Sequence, residues 1–270
     1  MKNKLYYHIF LSDDYGTWSS IFMEQVKLME DHNLIDALDE INIGCVYTSD
    51  HAKETFELLA ISIFKNPNIT YYPNTIGSSE DVYFDSKLNS YYHSAVTENV
   101  TMKKIFDDSQ KEDFNILYLH SKGVTSVARH LKTHNIFAYL LYFNWRQYLQ
   151  WAVIENWKKC VRALDKGYDI ASANFMTDPA PHVSGDIWWS KASYIRNLDD
   201  PTELDWYFNM RERSHNQDFK YNGSLRHRDE MWICCRNNFK FYHIHLLDEK
   251  DNPAYNILPR KNYTTTGEKS

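Results

Sequence analysis

Glycine is scarce, with eight residues in 270, and its placement excludes more than its number does. After the first apolar run, Leu5–Leu11, only Gly16 stands in the segment that follows. Folds that bind dinucleotides or S-adenosylmethionine carry several glycines in that loop, because backbone must come close to the cofactor. An α/β methyltransferase is therefore the least favoured enzyme reading. Cysteine is sparse too: Cys45, Cys160, Cys234 and Cys235 include no Cys-x-x-Cys pair, and the adjacent two do not suit an ordinary disulfide. A zinc ribbon and a disulfide scaffold are excluded, and reduced thiols in a cytoplasmic protein are expected. No stretch reaches ~18 consecutive apolar residues, and Met1–Tyr7 is too short in apolar character for a signal peptide. The expectation is a soluble chain with no transmembrane segment, in which the Asn-x-Thr sequons at Asn68, Asn99 and Asn262 carry nothing. A formal charge of -6 withholds the basic surface that nonspecific nucleic-acid binding requires. A small anionic ligand in a local cationic pocket fits better than a polyanion.

Aromatic rings are what the chain has in excess, with 20 tyrosines and 8 tryptophans. That is more than a core alone needs, so some are expected to line a binding surface or the face of a homodimer. At 43% hydrophobic content, 270 residues bury a full core.

Leu5–Leu11 reads as a buried strand and Ser12–Gly16 as a strand-to-helix loop. Trp18, Ile21, Phe22, Val26 and Met29 recur at helical spacing, then Leu34–Leu38 leads to a strand over Ile41–Tyr47. Ser49-Asp50 caps a helix running through Phe64, and the strand Ile69–Tyr72 stops at Pro73. Asn74–Tyr92 reads as a long surface loop. Thr97–Phe106 reads as a helix with Val100, Ile105 and Phe106 inward, delivering the chain to the strand Asn115–Leu119. Residues 129–165 predict two helices broken near Asn144, with most of their rings in the core. Tyr168–Asn174 reads as a strand, Asp178–Pro181 as a turn, and Lys191–Leu198 as a helix. A polar loop of about 25 residues follows, then a helix over Arg228–Arg236 and a strand over Phe239–Leu246. This alternation predicts an α/β fold with a mainly parallel sheet covered on both faces.

Two blocks concentrate the chemistry. His120-Ser-Lys-Gly123 lies at the carboxyl end of a buried strand, where ligands bind in open α/β sheets. In an extended chain His120 and Lys122 point to the same side, so both can meet one diphosphate, while Gly123 lets the backbone approach. His182-Val-Ser-Gly-Asp-Ile-Trp-Trp189 crowds His182, Ser184, Gly185 and Asp186 beside two indoles. That mixture suits a flat polar ring such as a sugar, with Trp188 and Trp189 stacking on it; a hydrogen-bonded turn packed by tryptophans is the structural alternative. Asp229 and Glu230 open a helix, either as partners of its dipole or as a general base for an attacking hydroxyl. His243 and His245 share one side of a strand, but no Asp-x-Asp pair exists to complete a hard-cation site. No metal site is assigned.

Tyr118-Leu-His-Ser-Lys-Gly123, Trp145-Arg146, His182–Trp189 with Ser193-Tyr-Ile195, and Glu230-Met-Trp-Ile233 resemble a family of glycosyltransferase-like proteins of bacteria and large DNA viruses. That family is similar in layout to the GT-A glycosyltransferases. The resemblance implies a Rossmann-like α/β/α sandwich forming one catalytic domain over residues 1–250. Its nucleotide-sugar half would span about 1–125 and its acceptor half 126–250, with a polar tail at 251–270. It further implies that Ser12, Asp13, Tyr47 and Asp50 hold the base and ribose, that Asp229 and Glu230 lie near the acceptor, and that His243 or His245 matches a carboxyl-terminal histidine. GT-A enzymes carry Asp-x-Asp where this chain has His120-Ser-Lys122. That substitution predicts transfer without a required cofactor, with His120 and Lys122 in place of manganese or magnesium on the departing diphosphate. The resulting expectation is a transferase, cytoplasmic or host-cytoplasmic if viral, moving a sugar from a nucleotide donor to a carbohydrate hydroxyl in polysaccharide or glycan synthesis. A nucleotide-sugar-binding protein without catalysis is the alternative.

Overall fold

A computed structural model describes residues 1–73, 82–85, 90–93, 98–121, 134–222, 228–245, 256–263 and 265. Its centre is a seven-stranded sheet built from β1 (Asn3–Leu11), β2 (Glu40–Tyr47), β3 (Asn68–Pro73), β6 (Asn115–His120), β7 (Ile170–Ser172), β10 (Trp188–Lys191) and β11 (Phe241–His243). They lie in the order β11-β7-β10-β6-β1-β2-β3. Only β10 runs against its neighbours, pairing antiparallel with both β6 and β7. The fold is thus α/β with a mixed, mainly parallel sheet, as the alternation of apolar runs predicts.

Alternate residues of the central strands feed two cores. Leu5, Tyr7, Ile9 and Leu11 of β1 and Leu117 and Leu119 of β6 face α1 (Tyr15–Asp31) and α2 (Asp50–Ile63). The period-two alternation sends Tyr6, Ile116 and Tyr118 to the other face, against α3 (Asn99–Ser109). The buried set of α1 contains Trp18, Ile21, Phe22, Val26 and Met29, the stripe visible in the sequence. Ser49 caps α2 by accepting the Ala52 amide at 3.3 Å, worth about 1 kcal/mol.

Several expectations are corrected. Within Asn74–Tyr92 the chain forms a hairpin, β4 (Val82–Asp85) with β5 (Ser90–His93), rather than loop throughout. The buried face of α3 is Thr101, Met102 and Ile105, with Val100 and Phe106 half-buried. Asn144 does not break its helix. It lies inside α4 (Ile136–Gln150), donating its side-chain amide to the Leu140 carbonyl at 2.8 Å. The break is a π-type turn at Trp151–Glu155, before α5 (Trp157–Asp165). β8 (Phe175–Met176) pairs with β9 (His182–Val183), and α6 (Ala192–Ile195) is shorter than the helix expected there. The supposed polar loop folds as α7 (Asp205–Arg213) and α8 (Gln217–Asn222), whose Trp206, Tyr207, Met210 and Phe219 are buried. Apolar residues there sit at one-turn spacing inside a strongly charged stretch, which masks the stripe. The last helix, α9 (Arg228–Trp232), ends four residues short of Arg236. The polar tail is partly docked: Tyr263 packs on Tyr148 and Trp151, and Arg260 pairs with Glu155 at 2.5 Å.

Candidate functional site

The carboxyl ends of β1 and β6 meet in register, placing His8 beside His120. Both imidazoles are buried on the α3 face. His8 Nδ1 lies 2.9 Å from the Thr101 hydroxyl, and burial pushes its pKa down to about 4. His120 is held from both sides. Its Nδ1 is 2.8 Å from the Glu98 carboxylate, and its Nε2 is 2.8 Å from the Gly185 carbonyl oxygen. Both partners are acceptors, so the ring's two nitrogens are committed within the protein. This corrects the expectation that His120 meets a diphosphate: it orients the Gly185 turn instead. Lys122 and Gly123 lie outside the described residues.

β10 brings the second block alongside. Trp188 pairs with Tyr118, so the turn preceding β10 falls next to His120. Gly185 and Asp186 both adopt left-handed backbone, with φ of 95° and 48°. Asp186 accepts the Trp188 indole N–H at 2.8 Å on one oxygen, while its other oxygen is buried without a partner among the described residues. Trp188 and Trp189 are each 0% exposed. They point into opposite cores, and Trp189 donates to the Val153 carbonyl at 2.8 Å. Stacking of either indole on a sugar is thereby corrected: on a central strand, both faces of the sheet are covered. His182 is likewise buried, with Nδ1 2.8 Å from the Ala180 carbonyl. Ser184 is locked through backbone bonds to Asn174.

The acidic pair divides. Asp229 is buried and accepts from the Arg228 guanidinium at 3.0 Å. Glu230 is half-buried, with one carboxylate oxygen 3.5 Å from the Gly185 amide nitrogen. One residue, Gly185, therefore links His120, at its carbonyl, to Glu230, at its amide. Asp186 sits amid this charge. Burial first, then Glu98, Glu230 and Asp229, push its carboxyl well above the ordinary range, against the indole bond. Glu98 is the member that sequence reading missed. It stands at the start of α3, where an acid is usually only a dipole partner.

Asp186 carries a pH prediction. A carboxyl whose folded pKa is raised contributes stability that is full below its unfolded value, near 3.8, and is lost as pH rises toward the folded value. Asp186→Asn removes this penalty. Asparagine tolerates left-handed backbone and retains an acceptor for Trp188. Urea titrations are expected to show the variant more stable at pH 8, by roughly 1–3 kcal/mol, and no more stable near pH 4. Equal stability at both values would contradict the assignment.

Across β1 the loops of the first half converge. Asp13 accepts from the Ser49 hydroxyl at 2.6 Å, tying the loop after β1 to that after β2. Ser12 receives the Trp18 indole N–H on its carbonyl at 3.0 Å. Asp50 is exposed in the first turn of α2. Tyr47 and Tyr71 meet edge to face, and the Lys53 ammonium lies 5.7 Å and 5.0 Å from their ring centres. Lys53, one turn into α2, was not singled out by sequence. His245 packs against Tyr148 and Trp151, and His243 against Phe241, apart from this cluster of acids.

Fold and site together define an α/β protein with a histidine–carboxylate cluster at the carboxyl edge of its sheet. A family profile matches residues 6–243, and the chain belongs to that family, described as a domain of unknown function, DUF8361. No functionally curated protein matches it. The matched span begins within β1 and runs to the last residue of β11, and so reaches all seven strands of the sheet. Among the described residues no helix is long and apolar enough to cross a membrane. No three or more His, Cys, Asp or Glu side chains among them are grouped to hold a metal ion. All four cysteines are buried and free.

Proposed function

We propose that this protein is a glycosyltransferase of GT-A-like type, moving a sugar from a nucleotide-sugar to a carbohydrate hydroxyl. The observation that carries the reading is the convergence, at one sheet edge, of the Asp13–Ser49 pair with the Gly185–Glu230 contact. β2 and β10 are three strand spacings apart in the sheet order, about 14 Å. A donor laid across that edge would have its nucleoside at Asp13 and Tyr47 and its sugar at Glu230. Glu230, half-buried with one carboxylate oxygen at the Gly185 amide, is the general base that takes the acceptor's proton. Asp229, already paired with Arg228, positions the helix start. Glu98, His120 and Gly185 form the frame that fixes Glu230. With His120 committed to that frame, Lys122 is the cation assigned to the departing nucleoside diphosphate.

Lys122→Ala is expected to lower kcat by about 10²–10³. Wild-type activity should survive chelator unchanged; dependence on manganese would overturn the metal-independent route. The donor is found by a thermal-shift screen of nucleotide sugars, since a ligand of the native state raises its melting temperature. A donor that binds but is neither transferred nor hydrolysed would indicate the non-catalytic binding protein.

A further inference from the structure

The sheet carries a second polar recess at its other edge. Lys191 pairs with Asn115 at the start of β6, whereas His120 ends that strand. The five-residue step from Asn115 to His120 puts about 17 Å between the two levels. The recess encloses about 340 Å³, walled by Asp169, Lys191, Ser193, Asn197 and Arg236 over a floor formed by Tyr194. That volume is within the range of small-molecule clefts.

Its walls come from the start of β7, from α6 and from the segment after α9, and hydrogen bonds fix them. The Lys240 amide donates to Asp169 at 2.9 Å, and the Tyr194 hydroxyl donates to the Ile233 carbonyl at 2.7 Å. With its hydroxyl proton donated to Ile233, Tyr194 brings no free donor to the recess and adds its ring to the lining. The two cations keep unused capacity. Among the described residues Lys191 meets Asp169 at 3.1 Å and Arg236 meets Asp199 at 2.6 Å, one contact each. An ammonium has three donors and a guanidinium five. Each cation is balanced by its carboxylate, so the recess has no excess charge to hold a phosphate dianion. It has more donors than acceptors, with the Ser193 hydroxyl and the Asn238 side-chain amide beside them, and with the Asn197 amide, which donates one N–H to the Ser193 carbonyl at 2.7 Å, keeping its second. That inventory matches a hydroxyl-rich ring bearing one carboxylate.

We propose that this recess is a second binding site, one that takes an acidic pyranose of the hexuronate class. The assignment is independent of the transferase reading, since no residue of the His120 cluster takes part.

The test is an amide-resolved NMR titration of the isotope-labelled protein with glucuronate. Saturable shifts are expected at Tyr194, Asn197 and Arg236, with a Kd on the order of 1 mM. Asn197→Ala and Arg236→Ala, both at exposed positions, are each expected to weaken binding by about tenfold, with unchanged spectra elsewhere showing that they fold. Glucose and acetate should each bind at least roughly tenfold more weakly than glucuronate. The proposal is overturned if glucuronate gives no saturable shift there, or if either variant binds as the wild type does. It is equally overturned if glucose, acetate or inorganic phosphate matches glucuronate.

Discussion

Glu230→Gln is expected to lower the turnover of the proposed sugar transfer by about 10²–10⁴ while leaving donor affinity within about threefold. The amide keeps the shape of the carboxylate and an oxygen to face the Gly185 N–H, which stands 3.5 Å from Oε2. What it loses is the ability to take a proton. A split in which kcat falls and KM holds therefore marks chemistry rather than folding. Asp229→Asn is the contrasting variant. It weakens a buried contact to Arg228 at 3.0 Å, so its main effect should be on stability, because removing one partner of a buried pair is costly. If Glu230→Gln retains full turnover and Asp229→Asn does not, the two roles are exchanged and the general base is misassigned.

Gly185→Ala is expected to destabilise the protein by about 3 kcal/mol or more, a large share of a typical domain's stability. Two costs add. The backbone there has φ +95°, and an added Cβ would lie 2.4 Å from the Leu149 side chain and 3.3 Å from the Trp145 ring. Gly167 separates the two costs, because its φ is +91° while a Cβ added there would meet nothing within 4 Å. Gly167→Ala should therefore cost only about 1–2 kcal/mol. Urea unfolding of the pair reads the difference directly, and equal losses would show that Leu149 and Trp145 yield freely. Activity of any folded Gly185→Ala should also fall, since His120 and Glu230 hold the backbone on either side of that α-carbon.

Most of the sheet is legible in the sequence because its strands are short apolar runs separated by helical stripes, and a parallel strand buried on both faces reads that way. Leu5–Leu11, Ile41–Tyr47 and Asn115–Leu119 all fall within observed strands. The elements missed are those with weak periodicity. α7 and α8 bury Trp206, Met210 and Phe219 amid charges, and the strands of the β4–β5 hairpin are only four residues each, with tyrosines and polar residues outnumbering Val82 and Phe84. For the site, sequence singled out His120, Gly185 and Glu230 as residues to examine, and the structure brings them together. It misjudged Trp188 and Trp189, because adjacent indoles look alike whether they flank a ligand or fill two cores. It also gave His120 to the ligand. Partners 22 and 65 residues distant, Glu98 and Gly185, occupy that ring, and no local pattern announces contacts of such separation.

The reversed strand β10 has a topological consequence. It is wedged between β6, from the first half of the chain, and β7, from the second. A cut near residue 125 would leave β6 as a raw border, its row of amides and carbonyls open to any passing chain. Neither fragment would own a finished sheet, so the two halves of the chain cannot be exchanged like cassettes. Evolution or engineering can vary their loops, but has to inherit the two halves as a single piece.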